Sequence, residues 1–144
     1  MPRFAKGLYE VQHAEKYLGN KKPIYRSSWE LSFMRFCDNH TSITQWSSEP
    51  IRIPYLHPIT GKRTTYVPDF LIQYQDKAGN IKTEVIEVKP ANQARQELTG
   101  RSLRNKAHLI VNEAKWRAAR DFCRQQGMIF RVITENEMFH TGKS

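Results

Sequence analysis

The sequence predicts an α/β fold in which a mixed, largely antiparallel sheet is flanked by helices. Several short segments with the alternation of strands come first, a long segment with helical spacing follows, and an apolar segment comes after it. A strand that follows a helix in this order is typical of a crossover onto the same sheet. We expect residues 27–144 to form a single domain. Residues 1–26 are rich in basic side chains and are broken by Gly and Pro, and they are expected to form a basic N-terminal arm, either partly ordered or flexible.

The centre of the chain, residues 67–90, predicts two strands joined by a turn. Apolar and polar residues alternate on both sides of residues 76–80, where Gly and Asn tolerate a positive φ. A hairpin centred on Ala78 would place Asp69 opposite Glu87. A register slip of one residue would instead put the two carboxylates on opposite faces of the sheet.

Two facing carboxylates need a positive group nearby, because like charges directly opposed on a hairpin are destabilising. Lys89 projects from the same face as Glu87, two residues further along the strand. A divalent cation bound by Asp69 and Glu87 would also remove the repulsion, and hard oxygen ligands suit Mg²⁺ or Mn²⁺. Each motif alone has a plainer explanation, a solvated strand face for residues 87–89 and a turn for residues 68–69.

Residues 27–37 predict the first helix. A stripe of residues with helical spacing would face the core: Trp29, Phe33, Phe36 and Cys37. Ser27 and Glu30 have the spacing of a capping box, so the Glu30 carboxylate could simply accept a hydrogen bond from a backbone amide. A carboxylate in the first helical turn beside the hairpin could equally complete a metal site, and spacing leaves both interpretations open.

Three further strands are expected at residues 43–48, 51–56 and 128–134, the last of them mostly buried. Pro54 indicates that the second of these lies at a sheet edge or contains a bulge. His57 and Tyr66 flank the segment that leads into the hairpin, and both are candidates for positions near the site, although a lone histidine beside a turn is usually just solvated.

From Leu103 the apolar residues keep helical spacing as far as Gly127, and Asn112 is a candidate interruption that would cap a second helix. Residues 101–131 contain eight basic and two acidic side chains. Because a solvated helix face normally mixes both signs, this bias predicts a surface that contacts phosphates. The residues assigned to DNA binding are Arg104, Lys106, Lys115, Arg117 and Arg120.

The composition favours a polyanionic partner. The chain has 23 Lys and Arg against 14 Asp and Glu, a net charge of +9, and a pI of about 9.8. Nucleic acid is favoured over a membrane because no long apolar run exists.

Residues 1–6 lack the apolar segment of a signal peptide. Cys37 and Cys123 are predicted to be buried thiols, since two cysteines in helical patterns do not make a zinc site. We therefore expect a soluble intracellular protein.

The ordered set of Glu30 on a helix, Pro68-Asp69 before one strand and Glu87-Val88-Lys89 at the end of the next resembles the PD-(D/E)XK nuclease superfamily. Within it, the chain is similar to the TnsA-type endonuclease branch, and particularly to a group of tailed-phage nucleases that act in head completion. The runs that carry this similarity are residues 25–30, 46–50, 67–70 and 87–90. The resemblance extends over nearly all of the chain after residue 16.

The resemblance implies a restriction-endonuclease-like core in which Asp69 and Glu87 bind Mg²⁺ (or Mn²⁺), helped by the Val88 carbonyl. Lys89 would orient or activate the attacking water, and Glu30 matches the acidic residue that the branch places on a helix, which favours a site role for it. The TnsA transposition proteins carry a glutamine where Glu87 stands, together with a further C-terminal domain. Both differences argue against a transposase subunit.

The function that this resemblance implies is a metal-dependent DNA nuclease acting in phage head completion and head–tail joining. DNA and phage head or portal proteins would be its partners, in the bacterial host cytoplasm or in the virion. Two alternatives remain open: a restriction- or repair-type nuclease of the same fold, and a non-catalytic DNA-binding protein of the virion. The sequence does not distinguish endonuclease from exonuclease action.

Overall fold

The computed structural model describes residues 6–100 and 102–140. In chain order its elements are β1 (Gly7–Leu8), a 3₁₀ turn (Ala14–Lys16), β2 (Ile24–Tyr25), α1 (Ser28–Asn39), β3 (Ile43–Ser48), β4 (Ile53–Leu56), β5 (Arg63–Tyr66), β6 (Phe70–Gln75), β7 (Ile81–Val88), α2 (Ala91–Thr99), α3 (Leu103–Gln125), β8 (Ile129–Ile133) and α4 (Glu135–His140).

The central sheet has the strand order β3-β6-β7-β8. The first two pairings are antiparallel and the pairing of β7 with β8 is parallel. The chain leaves β7, passes through α2 and α3, and returns in β8, so the expected crossover onto the same sheet is present. These findings confirm the predicted mixed, largely antiparallel sheet flanked by helices.

The β6–β7 hairpin has the register that the sequence predicts. Phe70 pairs with Ile86 and Gln75 pairs with Ile81, so the hairpin is centred on Ala78. The Asp76 carboxylate closes the turn by accepting hydrogen bonds from the amides of residues 78 and 80, at 3.0 and 2.8 Å. Gly79 takes a φ of 89°, which a residue with a Cβ rarely adopts. This register brings residues 69 and 87 together at the open end of the hairpin.

Helix α1 packs on one face of the central sheet, and its buried residues join those of the strands in the main core. That core includes Phe33, Met34, Cys37, Ile43, Trp46, Phe70, Ile72, Ile86 and Ile133. The expected stripe is confirmed at Phe33 and Cys37, whereas Trp29 and Phe36 are only half-buried and Met34 is fully buried. Cys37 and Cys123 are both free and buried, as predicted.

Residues 6–26, the described part of the expected arm, lie against the domain. The buried carboxylate of Asp38 in α1 anchors them: it accepts hydrogen bonds from the Tyr9 hydroxyl at 2.6 Å and from the amides of Gln12 and His13 at 2.7 and 3.0 Å. Tyr9 itself belongs to the main core. A buried carboxylate is stable only when it is hydrogen-bonded in this way, so the fold depends on these contacts.

Strands β4 and β5 form a separate two-stranded sheet. Ile53 from β4, Tyr66 from β5 and Ala119 from α3 are buried together in a second core. Pro54 lies in β4, which pairs only with β5, so its expected position in an edge strand is confirmed. This small sheet positions Tyr66 beside the end of β7.

Three features differ from the expectations. Helix α3 continues through Asn112 without interruption, because one weak helix former costs less than 1 kcal/mol in a long helix. Strand β8 is not mostly buried: only Ile133 is buried and Ile129 is 48 % exposed, since β8 lies at the edge of the sheet. Helix α2 was not predicted, because its sequence lacks an apolar stripe. Among the helices of the described ranges, none is both long and apolar enough to cross a membrane.

Candidate active site

The two carboxylates at the open end of the hairpin are largely buried and close to each other. Asp69 immediately precedes β6, and its Oδ2 accepts a hydrogen bond from the Val88 amide at 2.8 Å. Burial, and then the charge of Glu87, raise the pKa of Asp69 to about 8. Burial also raises the pKa of Glu87, although a hydrogen bond and two lysines oppose the shift. Without a bound cation, the state in which both carboxylates are ionised is therefore unfavourable.

Glu30 both caps its helix and adds charge to this site. The Ser27 hydroxyl accepts a hydrogen bond from the Glu30 amide at 3.1 Å, and Glu30 Oε1 accepts one from the Arg26 amide at 3.2 Å. Burial raises the pKa of Glu30. Its negative charge in turn raises the pKa of Asp69 and of Glu87, which places it within electrostatic reach of both. The two interpretations of Glu30 that the sequence left open, a helix-capping role and a role in the site, are thus compatible.

Glu49 is a fourth carboxylate here, which the sequence did not assign to the site. Its backbone amide donates to the Asp69 carbonyl at 2.8 Å, and its charge contributes to the raised pKa of Asp69. Glu49 has a φ of 48°, a left-handed conformation that is uncommon for a residue other than Gly. Arg26 forms an ion pair with it at 3.3 Å. The signal available in the sequence was its place beside Pro50 at the end of β3, but the conformation was not predictable from it.

Tyr66 holds the Glu87 carboxylate from the other side. Its hydroxyl donates to Glu87 Oε1 at 2.6 Å, and Trp116 packs against the core cluster that contains Tyr66. Burial, and then the charge of Glu87, raise the pKa of Tyr66 well above its ordinary value, so it remains a hydrogen-bond donor. Lys89, the last of the predicted site residues, places its ammonium 5.4 Å from the centre of the Trp116 ring. The sequence suggested Tyr66 as a residue near the site but did not assign Trp116 to it.

His57, the other residue suggested near the site, has a local structural role. Its Nδ1 accepts hydrogen bonds from the amides of Ile59 and Thr60, at 3.3 and 3.2 Å, in the turn between β4 and β5. This ring therefore closes a turn.

The five residues assigned to DNA binding do not lie on one face of α3. At 3.6 residues per turn, Arg104 and Lys115 lie on one side of the helix, and Lys106, Arg117 and Arg120 lie on the opposite side. Lys115 is half-buried, with its ammonium 5.7 Å from the centre of the Tyr66 ring, and the other four are exposed. Lys115 also acts on the carboxylates electrostatically, since its charge opposes the raised pKa of Glu87.

The carboxylate oxygens of Asp69 and Glu87 suit a hard divalent cation, although the described side chains do not supply a complete set of ligands. Within residues 6–100 and 102–140, no three His, Cys, Asp or Glu side chains form a group that could hold a metal ion by themselves. Mg²⁺ is commonly bound by only one or two carboxylates, with waters and substrate phosphates as its other ligands. Two largely buried carboxylates that repel each other provide that donor set, so Asp69 and Glu87 fit such an ion.

Two comparisons with known proteins identify the family of the chain. The family model described as "TnsA-like endonuclease N terminal" matches residues 40–135. The chain is also similar to the "Head completion nuclease" of Enterobacteria phage T4, with 31 % identity over 140 residues, which cover 90 % of this chain and 91 % of that protein. The resemblance inferred from the sequence is confirmed, and the restriction-endonuclease-like fold agrees with it.

Proposed function

Because the chain belongs to the TnsA-like endonuclease family, we propose that it is a metal-dependent DNA nuclease that hydrolyses phosphodiester bonds during the completion of phage heads. The observation that carries the proposal is the pair of largely buried, opposed carboxylates, Asp69 and Glu87, at the end of the hairpin. Such a pair is costly in a protein that binds nothing there, because each charge raises the free energy of the other.

Asp69 and Glu87 would hold Mg²⁺ or Mn²⁺, completed by the Val88 carbonyl, waters and the substrate. When bound, the ion lowers the pKa of a ligated water and neutralises charge on the phosphate. Tyr66 keeps the Glu87 carboxylate in one orientation through its 2.6 Å hydrogen bond. The Val88 amide does the same for Asp69. These two contacts make a preorganised ligand pair from side chains that would otherwise turn away from each other.

Lys89 would orient the attacking water and stabilise the negative charge that grows on the phosphate. The face of the Trp116 ring, 5.4 Å from its ammonium, keeps that charge near the site. Glu30, with its raised pKa, would hydrogen-bond a water on the other side of the carboxylate pair. Each role requires the side chain to lie beside the ligand pair, and the electrostatic influence of both residues on Glu87 supports that position.

The biological setting is proposed from the T4 relative, whose name describes a nuclease of head completion. The net charge of +9 favours DNA as the substrate. A filled head presents DNA at its portal, and an end that is trimmed there would permit the tail to join. Phage head or portal proteins are therefore the proposed partners, in the host cytoplasm or on the virion.

Plasmid cleavage tests the chemistry. We expect the wild-type protein to cut plasmid DNA with Mg²⁺ but not with EDTA, and Asp69→Ala and Glu87→Ala to be inactive. Glu113→Ala, which removes an exposed carboxylate of α3, serves as the matched control and should cut normally. Cleavage by the Asp69→Ala and Glu87→Ala variants at the wild-type rate would exclude this site.

A phage assembly assay tests the setting. A phage that carries Glu87→Ala should accumulate DNA-filled heads and unattached tails, visible by electron microscopy. A normal yield of infectious particles would refute a catalytic role in assembly and would favour the alternative of a non-catalytic virion protein.

A further inference from the structure

Resting on the proposed function, we infer that α3 supplies a second cation to the active site: the Lys115 ammonium contacts the phosphate at which the DNA is cut. The other predicted DNA-binding residues of α3 would then act, at most, as general phosphate contacts. The inference concerns a catalytic residue that lies 26 positions beyond Lys89, on a different element of the fold.

Lys115 is separated from the ligand pair by one aromatic ring. Its ammonium lies 5.7 Å from the centre of the Tyr66 ring, and the Tyr66 hydroxyl donates to Glu87 at 2.6 Å. A cation over a ring is held by only about 0.5–2 kcal/mol, and an ammonium has three N–H donors. Lys115 can therefore keep its stem against the ring and turn its donors to an anion that arrives beside Glu87.

The backbone that carries Lys115 is rigidly placed. Ala119, one helical turn further along, is fully buried against Ile53 and Tyr66 in the second core. Trp116, the next residue after Lys115, packs against the second core, which contains Tyr66, and the centre of its ring lies 5.4 Å from the Lys89 ammonium. A side chain anchored on a packed helix is held more precisely than one on a loop, as an active-site residue requires.

Lys115 and Lys89 act on the same carboxylate from two elements. Both charges oppose the raised pKa of Glu87, and the effect of Lys115 is the larger of the two. The site also contains Glu30, Glu49 and Asp69, so a phosphate that enters it lies among four acidic side chains. Two ammonium groups that converge beside Glu87 would offset that repulsion where charge develops during hydrolysis.

Lys77 provides a matched control that lies outside the surface assigned to DNA binding. It is exposed and lies in the turn of the β6–β7 hairpin, at the opposite end of the hairpin from Asp69 and Glu87. Lys115→Met and Lys77→Met remove the same charge by the same substitution. Any general effect of net charge on DNA binding will be the same for both variants.

The first experiment is single-turnover cleavage in Mg²⁺ with DNA affinity measured in parallel. We expect Lys115→Met to slow cleavage by about 100-fold, as for other donors to developing charge, and Lys115→Arg to retain most of the rate. Lys77→Met should cleave within about twofold of wild type. Wild-type rates for Lys115→Met, or an equal loss for Lys77→Met, would overturn the inference.

A second measurement identifies the contacted phosphate and does not require turnover. DNA with one neutral methylphosphonate at the mapped cleavage position is bound in EDTA. Wild type and Lys77→Met should bind it more weakly than unmodified DNA, and the difference should be smaller for Lys115→Met, in which Lys89 is the remaining ammonium beside that phosphate. Equal weakening in all three proteins would overturn the inference. A wild-type protein that does not cleave DNA in Mg²⁺ would instead refute the proposed function.

Discussion

Replacing Asp69 by Asn should stabilise the metal-free protein near neutral pH. Asn is close to Asp in shape, and its carbonyl oxygen can still accept the Val88 amide, which now donates at 2.8 Å. What the change removes is a buried negative charge beside Glu87. Burial and that neighbouring charge raise the pKa of Asp69 from 3.8 to about 8, so the folded protein holds a proton that the unfolded chain has released.

The sign of the pH dependence follows from this difference. Between pH 4 and pH 8 the folded state binds more protons at residue 69 than the unfolded state does, so the stability of the metal-free protein falls as pH rises. Each pKa unit corresponds to about 1.4 kcal/mol, which sets a ceiling of about 5 kcal/mol at pH 7.5. The Val88 amide and entering water still solvate the charge. We therefore expect Asp69→Asn to gain about 2 kcal/mol, or about 6 °C in Tm.

The assay is urea unfolding in EDTA, from pH 4.5 to 8.5, of wild type, Asp69→Asn and the exposed-site control Glu113→Gln. The stability of wild type and of the control should decline across this range, and the decline should be much smaller in Asp69→Asn. If the free energy of unfolding of all three proteins declined in parallel with rising pH, the surroundings of Asp69 would not raise its pKa, and the reasoning would be refuted.

Three further predictions follow from individual contacts. Tyr66→Phe removes the 2.6 Å hydrogen bond to Glu87, so the Mn²⁺ affinity measured by calorimetry near pH 6.5 should fall about tenfold. An unchanged affinity would contradict the role assigned to Tyr66. Lys89→Met should slow cleavage far more than it weakens Mn²⁺ binding; a variant with lost Mn²⁺ affinity and normal cleavage at saturating metal would exclude the assigned role. Tyr9→Phe removes the hydroxyl that donates to buried Asp38 and should cost about 1–3 kcal/mol in urea unfolding, whereas wild-type stability would show that this contact does not anchor the arm.

The part of the site that lies on the hairpin was predictable because local rules determine it. Turn residues at 76–80 and the alternation on both strands fix the register, and the register brings Asp69 to Glu87. The rest of the site comes from distant segments. Trp116 meets Tyr66 only because α3 packs against the small sheet, and no spacing in the sequence encodes that contact.

The helices after the hairpin show the same limit. The first amide of α2 donates to the Glu135 carboxylate at 2.8 Å, so a residue 44 positions away caps this helix and a local pattern does not reveal it. The prediction that Asn112 interrupts α3 was wrong. The weak preference of Asn against a helix is outweighed by the packing of α3, which buries Ala119.

Calorimetric titration with Mn²⁺ at pH 7, in two buffers of different ionisation enthalpy, tests the central claim most directly. If Asp69 and Glu87 together hold one divalent ion, wild type should bind one Mn²⁺ per chain and release a proton, because the metal displaces the proton that the raised pKa of Asp69 retains. Asp69→Asn and Glu87→Gln should each lose this binding. Undiminished Mn²⁺ binding by either variant would contradict the assignment of these two carboxylates as the metal site.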